Sequence, residues 1–164
     1  MPDGVSVQES EADTGSLLAT LDSPTGQGGF QLLLYPPDPA PGQVPDGPIT
    51  YTDDAGTEHT MIMADGPSNL SHTKCVPRFE SCQEIVDSDG VRVGRVTSML
   101  QDGTITFYEA TLLGPEGGVV YLSAWNATDQ KPGPDTPASA DVPPLTLDEL
   151  RGLVQDPVWT SYRP

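Results

Sequence analysis

Residues 81–125 read SCQEIVDSDGVRVGRVTSMLQDGTITFYEATLLGPEGGVVYLSAW, the densest strand-forming stretch of the chain. Its four runs, 81–86, 91–100, 104–113 and 119–125, are rich in β-branched and aromatic residues and are separated only by DSDG, QDG and GPEGG. Such runs predict strands. The Asp102-Gly103 pair favours a two-residue hairpin turn, because both central positions of that turn need positive φ. Turns this short join antiparallel neighbours, so the segment from Cys75 to Trp125 predicts an antiparallel meander. Within 104–113 one face carries Ile105, Phe107, Glu109, Thr111 and Leu113, and the other carries Thr104, Thr106, Tyr108, Ala110 and Leu112. Neither set is wholly polar. Both faces are therefore expected to be partly covered, one by a C-terminal helix and one by N-terminal strands or a long loop.

That helix is marked by PPLTLDELRGLV at 143–154. Thr146 and Glu149 form a capping box, acidic residues occupy the first turn, and Leu147, Leu150, Leu153 and Val154 fall on one stripe. Pro157 ends it, and Trp159 beyond is expected to pack back under the sheet. Upstream of the meander, FQLLLY at 30–35 reads as the first strand, closed by Pro36 and Pro37. TEHTMIM at 57–63, after the DDAG turn, reads as another strand. The expected fold class is mainly β, in the α+β sense: an antiparallel meander sheet with one C-terminal helix packed on it.

Chain organisation follows from composition. The 17 glycines and 18 prolines concentrate in the loops 36–48 and 132–144 and in an acidic opening segment. Residues 1–28, mostly Asp, Glu, Ser, Thr and Gly, offer few apolar groups against their ordering entropy and read as a flexible acidic leader. Residues 29–164 then form a single β-rich domain.

The net charge of -17, with only 7 Lys and Arg, excludes nucleic-acid binding through phosphate contacts and attraction to an anionic membrane surface. It leaves solubility, cations or basic partners. No run approaches the ~18 apolar residues of a spanning helix, and Met1 opens neither a basic nor an apolar signal region. The chain is expected to be a mature or trimmed ectodomain.

Cys75 and Cys82, in CVPRFESC, are the only two cysteines. Without further Cys or a close His pair they read as a small disulfide loop, which points to an extracytoplasmic location. The alternative is a metal site, or a metal-dependent enzyme, using His59, His72, Cys75 and Cys82. The Cys-x6-Cys spacing is longer than the knuckle of structural zinc sites, and a fourth ligand must come from a distant strand. Asp87, Asp89 and Gly90 match the start of a calcium loop, but Ser98 stands where a bidentate Glu is needed, so DSDG reads as a hairpin turn, as do Asp53 and Asp54. With two histidines and no Gly-x-Ser-x-Gly, phosphate-loop or His-Glu-x-x-His motif, no catalytic constellation or cofactor is indicated. Asn69-Leu-Ser and Asn126-Ala-Thr match glycosylation sequons.

The run from YLSAWNATDQK through the proline-rich spacer to PPLTLDELRGLVQDPVW resembles the ends of uncharacterised secreted or membrane-anchored proteins of high-GC actinobacteria. The matching residues are Ser123, Ala124, Trp125 and Asn126, the segment 143–153, and Pro157 and Trp159; the two upstream cysteines are similar too. The resemblance implies a lipoprotein-like cell-envelope ectodomain, some relatives of which look like companions of extracytoplasmic-function sigma factors. The expected function is a non-enzymatic binding or sensory domain, secreted or anchored at the outer face of the membrane. Its partner would be an envelope protein or an extracellular, basic ligand. Contact candidates are Tyr35, Tyr51, Phe79, Tyr108 and Tyr121.

Overall fold

The structure is a computed structural model that describes residues 1–38, 48–52, 56, 58–62, 69–101, 104–114, 116–133 and 135–161. Nine strands are present among them: β1 (Ser6–Asp13), β2 (Ser16–Ser23), β3 (Gly26–Tyr35), β4 (Pro48–Thr52), β5 (Glu58–Ile62), β6 (Ser81–Val86), β7 (Arg92–Gln101), β8 (Ile105–Leu113) and β9 (Val119–Trp125). One helix, α1 (Leu147–Val154), follows. The seven-stranded sheet is open and runs β1-β2-β3-β9-β8-β7-β6; β4 and β5 pair separately as a hairpin.

The strands at 81–125 lie where the residue pattern predicts them. Each is antiparallel to the next, and Ala110 on β8 stands between Val96 on β7 and Leu122 on β9. The sheet as a whole is not one meander. It consists of two, β1 to β3 and β6 to β9, joined where β3 pairs antiparallel with β9 from Gly29↔Trp125 to Tyr35↔Val119. The Asp102-Gly103, Asp53 and Asp54 turn readings lie outside the described residues.

The expected acidic leader at 1–28 is replaced by strands, and 30–35 belongs to the third strand of the sheet rather than the first. The reason lies in a few residues that an average over the segment hides. Leu17, Ala19 and Leu21 alternate along β2 and point to the core, where Leu21 is fully buried and Ala19 nearly so. Burying a leucine contributes roughly 2 kcal/mol, and the backbone pairing of β2 with β1 on one side and β3 on the other adds to it against the ordering entropy of the segment. β1 adds no buried side chain; it pairs through its backbone alone and forms one of the two edges of the sheet, β6 being the other. Its bulge between Val7 and Glu9 and its carboxylates Glu9, Glu11 and Asp13 protect that edge against pairing with other chains.

One sheet face packs under α1. Phe30, Val96, Ala110, Val120, Leu122 and Ala124 meet Leu145, Leu150 and Val154 there. Both halves of the capping box are made: Thr146 N donates to Glu149 Oε2 at 2.7 Å, and Glu149 N donates to Thr146 Oγ1 at 3.2 Å. Trp159 packs against the same core and donates from Nε1 to the Leu153 carbonyl at 2.7 Å. Gly29 has a packing reason: a Cβ there would run into the Trp125 indole.

Candidate functional site

The opposite face of the sheet differs in chemistry. Strand alternation and register place six residues in a two-row grid on β7, β8 and β9: Arg95, Thr111 and Tyr121 in one row, and Thr97, Glu109 and Ser123 in the next. Arg95, Thr97, Glu109, Thr111 and Ser123 are all buried. A sheet face whose centre buries a guanidinium, a carboxylate and three hydroxyls is costly unless each group finds partners.

The cover over this face supplies some of them. Residues Asn69–Thr73 form a 3-10 turn that packs on β7 and β8. Asn69 fixes it: its backbone N–H donates to the Asp38 carboxylate at 2.8 and 3.0 Å, and its side-chain amide donates to the Pro36 and Gly117 carbonyls at 2.8 and 2.7 Å. The carbonyl of His72 accepts from Thr111 Oγ1 at 2.7 Å. Those of Ser71 and Lys74 accept from Arg95 Nη1. Cys75 and Cys82 are joined in a disulfide with Cα atoms 5.7 Å apart. The loop they close carries Phe79, whose buried ring lies 4.6 Å from the Arg95 guanidinium carbon. Arg95 is thus held from above by backbone carbonyls and an aromatic face.

Three half-buried rings border the grid. Tyr35 stacks on His72 with centroids 5.4 Å apart and meets Tyr121 edge-on at 6.5 Å. The Tyr121 hydroxyl donates to Glu109 Oε1 at 2.8 Å. Burial and then the Glu109 charge push the Tyr121 hydroxyl well above the usual tyrosine range. The same two causes, in the same order, raise Tyr35. Burial, followed by the positive charge of Arg95, lowers His72 below the usual histidine value, against the opposing pull of Asp38 and Glu109. At neutral pH the border is therefore uncharged, and the charges lie beneath it.

The layer is incompletely satisfied. Arg95 Nε, Thr97 Oγ1 and Ser123 Oγ are buried and have no hydrogen-bond partner among the described residues. The Ser123 hydroxyl is near enough to Tyr121 to oppose the rise of its pKa, yet makes no hydrogen bond of ordinary geometry. Thr97 and Ser123 flank Glu109 from the two neighbouring strands. The result is a donor-only group, an acceptor-bearing group and two hydroxyls gathered under an aromatic border.

Of the aromatic contact candidates, Tyr35, Phe79 and Tyr121 gather at this face. Tyr108 points to the opposite one, beside the core under α1. Tyr51 stands on β4 opposite His59 on β5, and neither side chain is among those described. In the four-residue metal alternative, Cys75 and Cys82 have bonded to each other and the His72 ring is stacked on Tyr35. Among the described residues no three His, Cys, Asp or Glu side chains gather as a metal-holding group. Asp87 makes a turn, its Oδ1 accepting from the N–H groups of Asp89 and Val91 at 2.9 Å, with Gly90 at φ +76. Both sequon asparagines are buried and serve as struts. Asn126 accepts from Thr106 N at 2.8 Å and donates to the Ala140 carbonyl at 3.0 Å.

Sequence reasoning missed Arg95, Thr97, Glu109, Thr111 and Ser123 as a group. A signal was present: each of the three strands carries two polar residues at alternate positions near its middle, and aligning the strands about their turns stacks those pairs. Comparison of the chain with protein-family models, with curated proteins and with solved structures finds no match.

Proposed function

We propose that the chain is a non-enzymatic extracytoplasmic binding domain whose ligand face is the polar layer under the cover, and that its ligand is rich in hydroxyl groups, as envelope sugars are. The observation that carries this reading is the set of polar atoms on Arg95, Thr97 and Ser123, around Glu109, that are buried without a partner among the described residues. An unmade hydrogen bond at a buried group costs about 1–3 kcal/mol, so such a cluster is disfavoured in a face that only has to pack. Arg95 Nε requires an acceptor, the Glu109 carboxyl can accept beyond the bond it takes from Tyr121, and the two hydroxyls take either. A hydroxyl-bearing ligand provides both. A lone cation would be repelled by Arg95 and a lone anion by Glu109. The rings of Tyr35 and Tyr121 offer apolar surface for the C–H faces of a sugar ring.

An extracytoplasmic setting is supported by the Cys75–Cys82 bond, since disulfides persist in oxidising compartments. Among the described residues no helix is long and apolar enough to cross a membrane. The resemblance to actinobacterial envelope proteins supports a secreted or anchored location and a sensory role. The non-enzymatic part rests on the sequence, whose motifs indicate no catalytic constellation.

Calorimetric titration with neutral oligosaccharides, free amino acids and inorganic phosphate tests the reading. Saccharide binding that weakens about fivefold in Tyr35→Ala is expected, given the usual worth of an aromatic contact. Absence of saccharide binding, or binding indifferent to Tyr35→Ala, would overturn it.

A further inference from the structure

On the helix side of the sheet, away from the polar layer, an open groove of about 560 Å3 runs between the start of the chain, the β2–β3 turn, the segment before α1 and the first turn of that helix. Its volume lies within the range of ligand sites, about 300–1,000 Å3. Val5, Tyr108, Pro144 and Leu147 contribute apolar surface, while Asp3 and Asp148 contribute exposed carboxylates. Among the described residues, none that lines it is Lys or Arg. Arg151, on the helix nearby, donates to Gln83, which lines the groove, so one guanidinium stands at that side and the carboxylates at the other.

We propose that this groove docks an extended basic segment of a partner protein, in which Lys or Arg alternates with apolar residues. This does not depend on the reading of the polar layer, which lies on the other face. Charge complementarity on an apolar floor selects this occupant. A lysine or arginine lays its methylene stem along apolar surface while its head remains at a polar rim, and the groove offers both. The start of α1 contributes about half a positive charge, and the carboxylates of Asp148 and Glu149 outweigh it. An anionic segment is excluded by the same groups. A second copy of this chain is disfavoured as occupant because each copy carries a net charge of -17.

Net charge alone would attract any cation, so the test separates site from field. Fluorescence anisotropy of a labelled peptide of alternating lysine and leucine is followed with wild-type protein, with Asp3→Asn/Asp148→Asn, and with Asp89→Asn/Asp135→Asn. The last pair removes the same charge from exposed turns that line no part of the groove and is expected to melt as wild type does, while the groove variant melts slightly lower because Asp148 stands in the first turn of α1. Binding should fall about tenfold in the groove variant and less than about twofold in the turn variant. Equal losses in the two variants, or no binding by the wild type, would overturn the proposal. A peptide with glutamate in place of lysine should not bind, and its binding would overturn the proposal equally.

Discussion

Replacing Arg95 with methionine is expected to lower the free energy of unfolding by about 3 kcal/mol, because removing one partner from a buried charged layer strands the other. Methionine keeps much of the side-chain volume but deletes the donor that the Ser71 and Lys74 carbonyls accept from and the cation over Phe79. It also leaves the buried Glu109 carboxylate without the positive charge that stands diagonally across the grid. The loss should appear as a lower urea midpoint at nearly constant slope. Adding Glu109→Gln to the variant should recover part of it, since the stranded charge is then gone; residues in one network are not additive. A single variant within about 0.5 kcal/mol of wild type would mean that Arg95 is solvated rather than held by the cover.

Breaking the Cys75–Cys82 bond should cost roughly 2.5 kcal/mol from chain entropy alone, the figure for a loop of about eight residues. For a chain of this size the melting temperature then drops by about 5–10 °C in Cys75→Ser/Cys82→Ser, or in wild type after reduction. The effect should be local as well as global. Hydrogen exchange should quicken across 71–80, the residues that supply the carbonyls and the phenyl ring over Arg95, before it changes in β2 or β3. Native protein should alkylate at both cysteines only after reduction. Alkylation without reduction would contradict the bond, and an unchanged melting temperature on reduction would mean that the cover is held by Asn69 and Thr111 without it.

Local chemistry made much of this fold legible, and pairing distant in sequence was hidden. The strands at 81–125 are bounded by turn residues whose conformations they require, as Gly90 shows at φ +76. The Thr146–Glu149 cap specifies where α1 starts within the chain itself. In contrast, no local signal tells β3 to pair with β9, some ninety residues later, rather than to cover a sheet face. The first two strands were obscured for another reason: β1 buries nothing, and the three core residues of β2 sit within an otherwise polar segment. The candidate site shows both effects. Its disulfide and three of its aromatic residues are recognisable from residue type, while the grid beneath them exists only once three strands are in register.

Thr97→Val/Ser123→Ala sets stability against binding in one protein. Both hydroxyls are buried without partners among the described residues, so replacing them with groups of similar shape should leave the free domain as stable as wild type or more stable, by up to about 2 kcal/mol. If those hydroxyls await a ligand, the same variant should lose saccharide binding by about tenfold or more. A melting temperature that holds or rises while binding is lost is the expected result. A variant that melts several degrees lower, or that binds as wild type does, would contradict it: the polar layer would then be a satisfied part of the core, with no role in recognition.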